Sequence, residues 1–408
     1  MATSAKFNLG EIQSQFPILG ESVHGSRLAF LDSAASTQKP LVVLQAMDSY
    51  YRQSNANVHR GVYELSERAT ALYDAARAAV AKFIGASSSE IIFTKGCTES
   101  VNLLAHSLQA QIKPGDRILV SEMEHHANLV PWQVLSQRTG AELVKIPVTP
   151  KGEIDLDQLK SILNEPTKIV AIKHVCNALG TINPVGEIIR LAKQAGAITI
   201  VDGAQSLAHV SVDVEEIDCD FYVGSAHKVY GPMGVGFVYG RQELLQKLPP
   251  YQTGGDMIER VSFESSTYAD PPGRFEAGTP NVGGAIGFAA ALEWLNQFDF
   301  AEIRDHEDAL RLELEGALRD IPGVHVHGPT EGKVGIVSFT CDFAHPHDIA
   351  SVMNQHGVAV RSGHHCCMPL MARLNLPGTV RASFGVYNTS QDIQSLTQGL
   401  LHARDIFA

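Results

Sequence analysis

From residue 64 onward the sequence switches repeatedly between stretches with a helical period and short, nearly unbroken apolar runs, and no other feature restricts the possible folds as much. In residues 64–84, Leu65, Ala69, Leu72, Ala76, Ala79 and Phe83 recur at steps of three and four, the spacing of an amphipathic helix, and Gly85 suits its carboxyl end. The apolar runs are IIFT at 91–94, RILVS at 117–121, KIVAIKHV at 168–175, AITIVDG at 197–203, DFYVGS at 220–225 and VGFVYG at 235–240. Runs that stay apolar at consecutive positions predict strands buried on both faces. Helices alternating with such strands predict an α/β fold around a largely parallel sheet.

The chain of 408 residues, 44% of them hydrophobic, is long enough to bury a large core and fits two domains. The segment 250–280 is rich in Gly, Pro, Ser and Thr and lacks helical periodicity, which predicts a long functional loop before a boundary. Beyond it, helical patterns near 285–298 and 301–318, strands near 334–340 and 379–385, and a last helix from about 389 predict a second, smaller domain. The net charge of −12 comes from acids and bases interspersed along the chain. That distribution argues against nucleic acid or an anionic membrane surface and leaves small molecules and other proteins as partners. Six cysteines at irregular spacing do not form a secreted disulfide framework; reduced thiols in a cytosol-like compartment are expected. The opening stretch MATSAKFNLGEIQSQFP has no apolar core and meets an acid at Glu11, so neither a signal peptide nor a long transit peptide is expected. No run approaches the roughly 20 apolar residues of a membrane span.

Chemistry concentrates at a few strand ends. In SAHKVYGP, Lys228 follows a buried-looking strand and precedes a Gly-Pro turn. Alone it reads as a solvated loop residue or as a Schiff-base lysine, whose amine must be partly desolvated to attack an aldehyde cofactor. Asp202 in VDGAQS ends an apolar strand upstream. It reads either as a helix cap or as the carboxylate that keeps a pyridine nitrogen protonated; Gln205 is placed to reach a ring hydroxyl. Together with Lys228, the combination points to pyridoxal phosphate. TKGCTES at 94–100 is a small-residue turn opening a helix near Thr98, where backbone amides favour an anion, although many such junctions bind nothing. His125 and His126 follow a strand end and are open to stacking on a ring, metal ligation or solvent exposure.

Across nearly the whole chain the segments LDSAAS (31–36), NVHRGVYELS (57–66), MEHHANLVPWQ (123–133), HVCNALGTINP (174–184), VDGAQ (201–205), HKVYGPMGVG (227–236), RFEAGTPN (274–281) and RSGHHCCMP (361–369) occur in this order. Together they resemble the pyridoxal-phosphate-dependent cysteine desulfurases, in particular the SufS-type branch related to selenocysteine lyases and distinct from the NifS/IscS-type branch. The resemblance implies a class-V, fold-type I enzyme. Its large domain, here 20–285, holds a mostly parallel seven-stranded sheet, and 1–19 with 286–408 form a smaller α+β domain. It also implies Lys228 as cofactor lysine and proton shuttle, Asp202 as pyridinium partner, Gln205 at the ring oxygen and His125 as stacking ring. Thr98, Ser225 and His227 would hold the phosphate, with the Cys97 amide beside them. Thr279 would reach the phosphate of the neighbouring subunit of a two-fold dimer. Asn177, Arg381, Arg361 and His59 would position the substrate, Arg381 clamping its carboxylate in a bidentate pair.

The most concentrated stretch is RSGHHCCMPLM at 361–371. Adjacent ligands at 364–367 crowd a tetrahedral zinc, so no metal is expected, and a Cys366–Cys367 disulfide would close a strained ring. The resemblance makes Cys366 the persulfide-forming nucleophile, helped toward thiolate by Arg361 and the histidines. Cys367 departs from the alanine common in relatives and is open between a passive small residue and a sulfur relay. The implied reaction takes L-cysteine, or L-selenocysteine, to L-alanine. Sulfur then passes to a SufE- or SufU-like acceptor and an iron–sulfur scaffold, with the loop at 250–280 as part of the docking surface. An aminotransferase or epimerase of the same fold is the alternative, one that would have no use for Cys366.

Overall fold

The computed structural model describes residues 7–408. At its centre lies a seven-stranded sheet made of β1 (Ile91–Thr94), β2 (Arg117–Ser121), β3 (Glu142–Ile146), β4 (Ile169–Lys173), β5 (Ile198–Asp202), β6 (Phe221–Ser225) and β7 (Gly236–Gly240). Their order in space is β1-β7-β6-β5-β4-β2-β3. Strands β3, β2, β4, β5 and β6 pair in parallel. β7 runs antiparallel between β6 and β1, so β1 points the same way as the other five. Every residue of β4, β6 and β7 is buried, as two covered faces require.

All six expected runs form strands. β3 escaped notice because it lies at the sheet edge: its sequence ELVKI leaves Glu142 and Lys145 in solvent and shows no continuous apolar run. Alternate side chains feed two apolar layers. Leu119, Val170, Ile172 and Val201 enter one, while Ile118, Val120, Ile169 and Ile200 enter the other. The helix expected over 64–84 is α1 (Glu64–Phe83), and the turn at 94–96 opens α2 (Cys97–Leu108).

The carboxyl-terminal part builds an antiparallel four-stranded sheet from Val324–His327, Ile336–Cys341, Thr379–Ser383 and Arg361–Gly363, in that order. Its core contains Phe339, Ile349 and Leu396. Two chain segments tie this unit to the larger one. Ala29–Phe30 pairs in parallel with Val358–Ala359, and Ile12 and Phe16 pack into the core beside the large sheet. Helix α3 (Val282–Leu295) also sits in that core through Phe288, Leu292 and Leu295. In α4 (Phe300–Arg319), Ile303 belongs to the large core and Leu310, Leu314 and Leu318 to the small one. We propose that the two units exchange along α4.

The segment 250–280 is more ordered than a loop. Ile258–Val261 pairs antiparallel with Ser266–Tyr268, and Gly273–Phe275 forms a single helical turn. All but one of the hairpin's strand residues are exposed, so no burial pattern marked it in the sequence. No helix among the described residues is long and apolar enough to cross a membrane. What positions the site is the sheet's polarity: Thr94, Ser121, Lys173, Asp202 and Ser225 are the last residues of β1, β2, β4, β5 and β6. In α/β sheets this edge, beyond the strands' carboxyl ends, is where ligands are received.

Candidate active site

A cavity of about 880 Å³ opens at that edge. Lys228, on the short helical turn Ala226–Lys228 directly after β6, and Asp202, ending β5, both line it. Burial holds the Lys228 amine below the ordinary lysine value, and the Asp202 charge opposes that shift. The peptide before Lys228 is pinned through the His227 carbonyl. It accepts hydrogen bonds from the Thr37 amide (3.0 Å), Thr37 Oγ1 (3.2 Å), Ser36 Oγ (3.1 Å) and Lys39 Nζ (3.2 Å). Gln205, also on the cavity wall, donates Nε2 to the Ala34 carbonyl at 2.6 Å.

At the other end of the cavity, no side chain caps the first turn of α2. Gly96 precedes it at φ +146°, and a Cβ there would stand 3.2 Å from Ser225 Oγ. Ser225 Oγ accepts the Cys97 amide at 2.8 Å. Thr98, Ser225 and His227 line the same wall. Burial pushes the Cys97 thiol up and the Asp202 charge adds to it, so the thiol stays protonated. Burial, then Lys228 and Lys39, bring His227 down to about 4, leaving a neutral ring.

His125 and His126 divide their work. His125 Nδ1 accepts the Ala127 amide at 3.0 Å, which assigns the proton to the other ring nitrogen. Burial, followed by Lys228 and Lys173, lowers its pKa to about 3. His126 belongs to the loop beyond: its amide donates to the Cys366 carbonyl at 2.8 Å, and its Nε2 accepts the Met368 amide at 3.2 Å.

Cys366 is exposed and lines the cavity, whereas Cys367, the next residue, is wholly buried. His365 and Cys366 both adopt left-handed backbone, at φ +50° and +55°, a conformation that costs about 1–2 kcal/mol per residue away from glycine. Flanking contacts impose it. His364 Nδ1 accepts the Cys366 amide at 3.2 Å, the Asn177 amide nitrogen donates to the His365 carbonyl at 2.7 Å, and His365 Nε2 meets Thr379 Oγ1 at 2.8 Å. Burial takes His365 to about 3. It therefore supplies no positive charge to Cys366, and both histidines serve the loop through hydrogen bonds.

Arg381 lies beneath this loop, 2% exposed. Its Nη1 donates to the Asn177 carbonyl at 2.7 Å and its Nη2 to Asp32 at 3.1 Å. Its Nε is buried without a partner among the described residues. Asp32 also takes Arg361 in a forked pair, with Nη2 at 2.8 Å. Two expected residues stand elsewhere: His59 lines a cavity of about 440 Å³ and Thr279 one of about 460 Å³. Among charged residues, the sequence reading missed Asp32, which holds Arg381 and Arg361, and Lys173, Lys95 and Glu99, which line the cavity. Lys173 carried one signal, a charge ending the otherwise apolar run IVAIK.

An uncapped helix start closed in by a glycine, a carboxylate at a strand end and a desolvated lysine line the same cavity. The set fits a flat, protonatable ring that bears a phosphate at one end and an aldehyde beside the lysine. The unpartnered Arg381 Nε adds an unmet demand for an anion. Fold and donor set together define a pyridoxal-phosphate enzyme of the fold-type I class.

Comparison with known proteins narrows this. The family model for aminotransferase class-V matches residues 29–396. A cysteine desulfurase of Serratia proteamaculans is 47% identical over 397 residues, covering 97% of this chain and 98% of that one. A probable cysteine desulfurase of Vibrio cholerae is 46% identical over 401 residues, covering 98% and 99%. Among solved structures, the apo cysteine desulfurase of Thermococcus onnurineus superposes with a TM-score of 0.94 at 38% identity, covering 99% of both chains. The Escherichia coli cysteine desulfurase CsdA, in an S-sulfonic acid form, gives 0.92 at 38% identity, covering 99% of this chain and all of the other. The chain belongs to the cysteine desulfurase family of the class-V aminotransferases, which are pyridoxal-phosphate-dependent enzymes.

Proposed function

We propose that this chain is a SufS-type cysteine desulfurase that converts L-cysteine to L-alanine and keeps the sulfur as a persulfide on Cys366. The observation that carries the reading is the position of Cys366: exposed to solvent, yet on the wall of the cavity that Lys228 and Asp202 line. A thiol so placed faces the bound substrate on one side and an acceptor on the other. An aminotransferase or epimerase would have no use for it.

Lys228 would be the base that binds the cofactor, with Asp202 to pair with its ring nitrogen, Gln205 to reach the ring oxygen and His125 to stack on the ring. The first turn of α2, with Thr98, Ser225 and His227, would hold the phosphate. Bound there, pyridoxal phosphate supplies an electron sink for the substrate Cα. Arg381, with Asn177 and Arg361 near it, orients the substrate carboxylate, since its unpartnered Nε demands an anion. Lys228 Nζ takes the Cα proton, and its depressed basicity lets it give that proton back. The Cys366 sulfur attacks the substrate sulfur, the carbon–sulfur bond breaks with its electron pair staying on carbon, and a proton completes alanine. The sum is L-cysteine plus Cys366 thiol giving L-alanine plus Cys366 persulfide.

We further read the enzyme as a cytoplasmic two-fold dimer. Thr279 lies outside the cavity of its own chain, as a residue donated to the neighbouring subunit would. Val62 (96%) and Met233 (70%) offer exposed apolar surface to a second copy. The short loop around Cys366, held at both ends, calls for an acceptor that comes to it. A SufE- or SufU-like protein feeding iron–sulfur cluster assembly fits that need, with the exposed hairpin 258–268 beside the docking face. The deciding experiment compares alanine released from L-cysteine by native and Cys366→Ser protein, both loaded with cofactor and given a reductant. Alanine from the native protein and almost none from the variant supports the reading, and equal release from both overturns it.

A further inference from the structure

Cys367 and Lys173 have no part in that reaction, yet they meet at the base of the catalytic loop. Lys173 ends β4, is 2% exposed and lines the cavity. Its Nζ lies 2.7 Å from Asn177 Oδ1 and 3.6 Å from Cys367 Sγ, and Cys367 Sγ is 3.2 Å from the same Asn177 oxygen. We propose that Lys173 is a positioning residue for Cys366, acting through Asn177 and Cys367; this rests on the desulfurase reading above.

The chemistry of the donors carries the inference. An ammonium only donates, so its contact with Asn177 commits the amide oxygen to Lys173 and aims the amide nitrogen the other way. There it meets the His365 carbonyl at 2.7 Å. The Cys367 thiol donates to the Asn177 oxygen and accepts from Lys173, which fixes the residue on the far side of Cys366. Both neighbours of the nucleophile are thus tied to one lysine, and Cys366, held left-handed between them, has its side chain turned outward. Lys173 is itself anchored: its amide donates to Glu124 Oε1 at 3.0 Å, a carboxylate also held by Ser121 Oγ at 2.5 Å and by Asn128 at 2.7 Å. The same geometry removes Cys367 from sulfur transfer, because its thiol is buried in this network, on the opposite side of the loop from solvent.

The test uses the cofactor-loaded protein, iodoacetamide and peptide mass spectrometry, beside turnover of L-cysteine. In the native protein Cys366 is alkylated and takes up sulfur, and Cys367 does neither. In Lys173→Met, Cys367 labelling rises at least tenfold and kcat falls at least tenfold, and in Cys367→Ala, which leaves Asn177 its lysine, KM for L-cysteine stays within twofold. Cys367→Ala lowers kcat similarly, Cys367→Ser recovers most of that loss, and the double variant Lys173→Met/Cys367→Ala is no worse than either single one. Additive losses, an unchanged kcat in both single variants, or a persulfide on Cys367 of the native protein would overturn the proposal. Should Lys173→Met fail to fold, the Ala and Ser forms of Cys367 decide alone. Absence of alanine from the native protein would instead sink the desulfurase reading, and the labelling pattern would still judge the latch.

Discussion

The carboxylate of Asp32 stands 3.1 Å from Nη2 of Arg381, a guanidinium with almost no contact with water. Asp32 simultaneously holds Arg361, which lies on the strand leading into the Cys366 loop. One acid therefore joins the floor of the cavity to the segment carrying Cys366, and keeps two like charges at a fixed spacing.

Asp32→Asn keeps the shape and removes the charge. Arg361, half exposed, is then released, and the loop loses an anchor. Misplacement of a reacting group by an ångström is worth up to about 100-fold in rate, so kcat falls by ~10–100-fold. KM for L-cysteine does not rise, because Arg381 loses a competing anion and becomes more attractive to a substrate carboxylate. Steady-state kinetics with both parameters resolved checks this; a raised KM with native kcat refutes it.

How far the sequence revealed this arrangement depends on what each residue does. Local chemistry marked Lys228 and Asp202 as a pair at strand ends and Thr98 in a small-residue turn, while Cys366 was singled out by the resemblance; all four line the same cavity. Both faces of β4, β5 and β6 were legible from unbroken apolar runs. The edge strand Glu142–Ile146 and the hairpin at 258–268 were not, since neither buries enough surface to leave a pattern. Asp32 and Lys173 were missed for another reason. Asp32 meets Arg381 and Arg361 across 349 and 329 residues and Lys173 meets Cys367 across 194; no local spacing encodes such meetings, and the contact of Lys173 with nearby Asn177 does not by itself mark a site.

The charges buried around the site also set how stability responds to acid. Burial lowers His125 and His365 to about 3 and His174 and His227 to about 4. Each binds a proton more weakly when folded than when unfolded, where the value is near 6.5. Between pH 6.5 and about 4, the unfolded chain takes up the protons, so folding weakens by up to about 1.4 kcal/mol per pH unit for each histidine. Glu124, pushed up to about 7 by burial, acts in the opposite sense and offsets one of them. The net prediction is a lower urea midpoint at pH 5 than at pH 7. An equal or higher midpoint at pH 5 contradicts it.

Glu276 illustrates a buried charge whose loss is felt in two places. It receives Arg77 through both oxygens at 2.6 and 2.8 Å, the Tyr73 hydroxyl at 2.9 Å and the Phe93 amide at 2.7 Å. Both side chains of the ion pair are about nine-tenths buried. Glu276→Gln leaves Arg77 without a counter-charge, which in buried pairs costs about 3–5 kcal/mol. The same acid fixes the start of EAGTPN, three residues before Thr279. The variant therefore unfolds at lower urea, and if the dimer is built as proposed, it also loses cofactor more readily on dilution. Native stability in Glu276→Gln would show that the pair contributes nothing net.

The start of α2 offers the most local test of cofactor binding. Gly96 sits at φ +146°, where any side chain strains the backbone, and a Cβ there would press within 3.2 Å of Ser225 Oγ. That hydroxyl holds the Cys97 amide at 2.8 Å, so the intrusion acts on the turn proposed to receive the phosphate. Gly96→Ala should weaken pyridoxal phosphate binding at least tenfold, measured by equilibrium dialysis of the refolded apoprotein. Ser225→Ala removes the hydroxyl without adding bulk and should cost less, since the amides stay in place and only one contact is lost. The order of the two effects discriminates between causes. If Ser225→Ala is the more damaging, the hydroxyl itself is the dominant phosphate ligand and the backbone turn is secondary; if Gly96→Ala is, the phosphate is held chiefly by the helix start that the glycine keeps open.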